Sequence, residues 1–99
     1  MRILVVNDEP LVIYEIEEQV QAAGFEVAYA GSAARAHELL RCHQFDAAVL
    51  DATLDGKPSS PVAVALREHA IPILALSEYP ASTLVLTLKI LLSHATAQV

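Results

Sequence analysis

Three acidic or hydroxyl positions follow short apolar runs in this 99-residue chain. Asn7-Asp8-Glu9 follows Ile3–Val6, Asp51 follows Ala47–Leu50, and Ser77 follows the run that starts at Ile73. Two carboxylates brought close together repel, and a hard cation with oxygen ligands relieves that repulsion. Mg²⁺ suits one or two carboxylates supplemented by water and a phosphoryl oxygen. A carboxylate beside such a cation is able to attack phosphorus and become an acyl phosphate. A hydroxyl at Ser77 would then donate to the new phosphoryl group. Each residue also has a plainer reading. Asp8 suits a helix N-cap beside Pro10, and Asp51 and Ser77 suit ordinary loop starts.

These residues meet only if the runs before them lie side by side. Arg2–Val6 and Ala47–Leu50 are short and apolar, as expected of strands buried on both faces. Phe25–Ala30 alternates more, with Glu26 among apolar neighbours, and reads as an edge strand. Ile73–Leu76 makes a fourth. Between them lie helical patterns. Val12, Ile16, Val20 and Ala23 share one face, with Gly24 as the left-handed cap. Ala33, Ala36, Leu39 and Leu40 share another, behind Ser32 as N-cap. Val62, Ala65, Leu66 and His69 form the third, behind Ser60 as N-cap and Pro61. Residues 55–60 read as a polar loop, and Cys42 as a small core residue. Strands alternating with helices imply a parallel sheet covered on both sides. In such sheets the reactive crevice lies outside the carboxyl ends of the strands, where Asp8, Asp51 and Ser77 stand.

Composition narrows the partners. Twelve acidic against six basic side chains give a formal charge of -6, so no basic patch is expected for nucleic acid. A basic protein face or a divalent cation suits it better. The single cysteine forbids an intrachain disulfide, and no apolar run is long enough for a signal peptide or a membrane span. A cytoplasmic location is the expectation. His37, His43, His69 and His94 show no metal-ligand spacing and read as surface or helix-end residues, His69 also falling on the face of the third helix.

At the strand ends the chain resembles the receiver domains of two-component response regulators. The matching pieces are Ile3-Leu4-Val5-Val6-Asn7-Asp8-Glu9-Pro10, then Val49-Leu50-Asp51 with Leu54 and Gly56, then Ile71-Pro72-Ile73 running to Ser77. The resemblance covers residues 1–80 of what is expected to be one domain, 1–99. It implies a flavodoxin-like sheet of strand order 2-1-3-4. It implies that Asp51 accepts phosphate from a histidine kinase or phosphotransfer protein. Asp8 would bind Mg²⁺ directly, together with Asp51 and the Thr53 main-chain carbonyl, and Asn7 through water. Ser77 would be the switch hydroxyl. The family is not one of enzymes turning over a separate substrate.

The departures are specific. Asn7 stands where the family usually has a second acid, and Glu78 where it has a small residue. The fifth strand and its Lys-Pro pair are missing, since Lys89 is followed by Ile90 and lies only 12 residues beyond Ser77. Residues 84–92 read either as a partly alternating strand or as a helix, and a C-terminal helix in their place is favoured because a parallel crossover needs more residues than lie between Leu76 and Leu84. Its face would be Leu84, Leu88, Leu91, Leu92 and Ala95, leaving Val85, Leu86 and Ile90 outside it. That surplus predicts a homodimer through residues 81–96. The expected function is a single-domain receiver acting through protein association. The alternative is an interaction module that is never phosphorylated. A haloacid dehalogenase-like phosphatase is disfavoured, because Thr53 stands where that family expects a second acid.

Overall fold

The computed structural model describes residues 1–54, 56–75, 86–90 and 92. The chain forms β1 (Arg2–Val6), α1 (Pro10–Ala22), β2 (Glu26–Ala30), α2 (Ala33–Cys42), β3 (Ala47–Leu50), β4 (Thr53–Leu54), β5 (Lys57–Pro58), α3 (Ser60–Glu68) and β6 (Ile73–Ala75). Four strands make a sheet of order β2-β1-β3-β6. All three pairings are parallel, with Val6 level with Ala30 on one side and Leu50 on the other, and Leu50 level with Ala75. This is the order expected from the sequence, with β6 as the fourth strand.

Side chains alternate across a strand, and here they feed two cores. Leu4, Val6, Ala48 and Leu50 meet Ala36, Leu39 and Leu40 of α2 and Val62 and Leu66 of α3. Ile3, Val5, Ala47, Val49 and Leu74 meet Ile16 and Val20 of α1 on the opposite face. Ile3 to Val6 and Ala47 to Leu50 are buried throughout. That explains why their sequences do not alternate in polarity. β2, at the sheet edge, keeps Glu26 and Tyr29 exposed.

Residues 86–90 are helical. Leu88 and Leu92 pack into the α1-side core, whereas Leu86 and Ile90 are 59% and 54% exposed. The tail is therefore a helix there, facing the sheet as the periodicity predicts. Leu84, Val85, Leu91 and Ala95 fall outside the described residues. No helix among the described residues is long and apolar enough to cross a membrane.

Four local expectations are corrected. Cys42 is exposed, because it ends α2 on the solvent side of the Ala36–Leu39–Leu40 stripe. His69 is exposed too; it is the C-cap of α3, where its N–H donates to the Ala65 carbonyl at 3.1 Å. The helix boundaries shift by one residue, so the N-caps are Glu9 and Ser59 rather than Asp8 and Ser60. Lys57 and Pro58, expected within a polar loop over 55–60, instead form a strand antiparallel to β4, with Leu54 paired to Lys57 and Thr53 to Pro58. Gly56 takes a φ of 73° in its turn, which a glycine adopts at no steric cost.

Candidate functional site

Each strand end is tied to its neighbour one residue beyond the last register pair. The Asp51 N–H donates to the Val6 carbonyl and the Asn7 N–H to the Ala30 carbonyl, both at 3.1 Å. Neighbouring strands lie about 4.8 Å apart, so Asn7 and Asp51 leave the sheet side by side, with Asp8 one residue further on. Asn7 is only 2% exposed. Its Oδ1 accepts from the Glu9 N–H at 2.8 Å, an Asx turn that bends the chain from β1 into α1. Asn7 thus shapes the loop that carries Asp8. Asp8 and Asp51 are both half-buried.

The far side of Asp51 is held just as firmly. Ser59 is 5% exposed, and its hydroxyl donates to the Asp51 main-chain carbonyl. The Ser59 N–H donates to the Ala52 carbonyl at 2.9 Å. These two bonds and the hairpin fix Thr53 beside Asp51. The Thr53 side chain is exposed. Its hairpin partner Pro58 has no N–H to offer the Thr53 carbonyl. Sequence reasoning missed Ser59, since either serine of Ser59-Ser60 is a plausible cap and only the fold shows which one faces Asp51.

Asp51 itself has no side-chain hydrogen bond or ion pair among the described residues. Neither lysine forms an ion pair with Asp51 among the described residues: Lys57 is exposed on β5, and Lys89 is exposed on the tail helix that packs on the α1 side. Among the described residues no three His, Cys, Asp or Glu side chains converge as a metal site. The oxygen donors at the strand ends are instead two carboxylates, one carboxamide and one carbonyl, a set that fits a hard divalent cation keeping part of its water. Ser77 and Glu78 lie outside the described residues. The structure places Asn7, Asp8, Asp51 and Thr53 at the carboxyl edge of the sheet.

Parallel strands with helices on both faces, and acids at the carboxyl ends of the central strands, define a flavodoxin-like α/β fold. No family model and no curated protein matches the sequence. Solved structures do match. Response regulator protein TrrA from Thermotoga maritima, in complex with Mg²⁺-BeF, is 29% identical over 76% of this chain and 69% of its own, with a TM-score of 0.66. It matches again in complex with histidine kinase ThkA, at a TM-score of 0.67 over 75% of this chain. The BeF3-activated conformation of SdrG from Pseudomonas melonis Fr1 is 33% identical over 75% of this chain and 64% of its own, with a TM-score of 0.65. A sensor protein from Polaromonas sp. JS666 is 18% identical and shares the fold over 94% of this chain and 96% of its own, at a TM-score of 0.76. The fold is that of a response regulator receiver domain.

Proposed function

We propose that this chain is a receiver in phosphorelay signalling, phosphorylated on Asp51 by a histidine kinase or phosphotransfer protein and acting through protein association. The observation that carries this reading is the placement of Asp51. It ends a central strand level with Asn7, one residue before Asp8 in the neighbouring strand's exit loop, with its main chain pinned by Ser59 and Val6 and its carboxylate without a partner among the described residues. In the reaction an Asp51 carboxylate oxygen attacks the phosphorus of a phosphohistidine. The P–O bond forms as the P–N bond breaks, and the imidazole leaves with its electron pair and takes up a proton. Water attack on the acyl phosphate later returns the carboxylate and releases inorganic phosphate. Asp8, Asp51 and the Thr53 carbonyl would hold Mg²⁺, with Asn7 reaching it through water. The cation would supply positive charge against the carboxylates and the incoming phosphoryl oxygens. Ser77 would be the switch hydroxyl. No turnover of a separate substrate is expected.

The test is mass spectrometry after incubation with acetyl phosphate and Mg²⁺. One phosphoryl adduct on the wild type, absent from Asp51→Asn, supports the reading. An unlabelled wild type, under conditions that label an ordinary receiver, overturns it.

A second reading is an interaction module that is never phosphorylated. The positions of Lys57 and Lys89 favour it, because neither supplies a cation to Asp51. Either reading accommodates a homodimer through residues 81–96. The support is the exposed pair Leu86 and Ile90, one helical turn apart on the outer face of the tail. Sedimentation should give twice the chain mass for wild type and a monomer for Ile90→Lys.

A further inference from the structure

A groove of about 590 Å³ runs between α3 and β6, with Asp51 and Ser59 at one end and Arg67 at the other. Its floor is apolar. Ala63 lines it from the helix, and Ile73 and Ala75 from the strand. α3 covers β3 fully, since Ala48 and Leu50 are buried, but it leaves Ile73 and Ala75 only half-buried. Register fixes the polarity of the groove. Ala75 is level with Leu50 and so lies at the Asp51 end. Arg67 sits in the last turn of α3. Eight residues of helix separate Ser59 from Arg67, about 12 Å at the usual rise. Arg67 is exposed, and its guanidinium makes no hydrogen bond or ion pair among the described residues.

We propose that this groove docks an amphipathic helix of a partner protein, with its N-terminal turn against Asp51 and a carboxylate of its C-terminal turn against Arg67. Length and charge select this occupant. A floor about 12 Å long takes two to three turns. A helix carries partial positive charge at its N-terminus and partial negative charge at its C-terminus, which complements an acid at one end and a cation at the other. Small side chains such as Ala63 and Ala75 let a second helix approach the sheet closely. The groove also joins the docking surface to the phosphoacceptor. A phosphoryl group on Asp51 adds negative charge where the helix N-terminus would lie, so phosphorylation strengthens docking. That coupling rests on the phosphoacceptor reading; the docking itself does not.

The probe is a synthetic twelve-residue amphipathic helix with Ala and Leu on one face and Asp in its last turn, added to the full chain. Methyl NMR should place its contacts at Ala63 and Ala75. Fluorescence anisotropy should show Arg67→Glu weakening binding about threefold or more, and exchanging the peptide Asp for Lys should restore it. Ala63→Leu, which fills the groove, should abolish binding. Beryllofluoride at Asp51 should tighten it about two- to fivefold. Binding elsewhere, no binding, or indifference to Arg67→Glu overturns the proposal. So do contacts from residues 76–85 to Ala63 in the free protein, because the chain would then cover its own groove. Peptide binding that depends on Arg67 in a chain that takes up no beryllofluoride overturns the coupling and the phosphoacceptor reading while upholding the docking site.

Discussion

The two ends of the central sheet are built on opposite principles. At the amino ends of the strands, charges are matched within the protein. The Arg2 N–H donates to Asp46 Oδ2 at 2.7 Å, its Nε donates to Glu26 at 3.3 Å, and its guanidinium approaches His43 Nδ1 at 3.3 Å. At the carboxyl ends the main chain is satisfied while the Asp51 carboxylate is left without a protein partner among the described residues. The first end is a closure that holds strands in register. The second keeps an acid available, and its hydrogen bonds go to positioning that acid.

This contrast predicts a ranked set of stability effects. The apolar scale comes first. Leu88 is fully buried against both central strands, so Leu88→Ala should cost about 2–5 kcal/mol in urea unfolding. A smaller loss would mean that the tail helix is not part of the frame shared by both ends. Ser59→Ala should cost about 1–2 kcal/mol, because it leaves the Asp51 carbonyl without its donor. The same variant should lower the rate of acetyl phosphate labelling, since the bond positions Asp51. Asp46→Ala should cost about 1 kcal/mol by removing the acceptor of the Arg2 N–H. Asp51→Asn, by contrast, should cost nothing or stabilise the fold slightly. If Asp51→Asn were as destabilising as Asp46→Ala, the distinction between the two ends would collapse.

The smallest effect concerns an exposed side-chain hydrogen bond on α1. Tyr14 on α1 donates to Glu18 at 2.9 Å. That bond and the Glu18 charge raise its pKa above the ordinary 10.0. A raised folded value means a contribution present below pH 10 and lost as pH climbs through the folded pKa. Ultraviolet titration should find the Tyr14 midpoint lower in Glu18→Gln than in wild type.

Much of this molecule was legible in its sequence, for identifiable reasons. Ile3–Val6 and Ala47–Leu50 announce themselves because strands covered on both faces need unbroken apolar runs. Strand order and the edge position of β2 were likewise legible from the alternation of strands and helices, the mixed polarity around Glu26 and the family resemblance. Asp8 and Asp51 were found because a residue ending such a run must lie at the sheet edge. The hairpin at 53–58 was missed although Asp55-Gly56 is a turn signal, since its flanking strands of two residues are too short to show a period. Cys42 was misplaced, and His69 left the expected apolar face for its helix-end reading, because a residue at a helix end sits where the apolar stripe no longer dictates burial.

The sequence by itself determined the layered α/β architecture, the identity of the acids at the strand ends and the apolar stripe of the tail. Those depend on local period and residue type. Only the tertiary structure decided that Ser59 clamps the Asp51 carbonyl, that neither Lys57 nor Lys89 pairs with Asp51 among the described residues, and that Arg67 shares a groove with Asp51 across the length of α3. These are relations between residues 6 to 38 positions apart, and no local pattern encodes them. They exist because parallel strands in register bring distant segments to one edge, and because α3 starts at that edge and runs away from it.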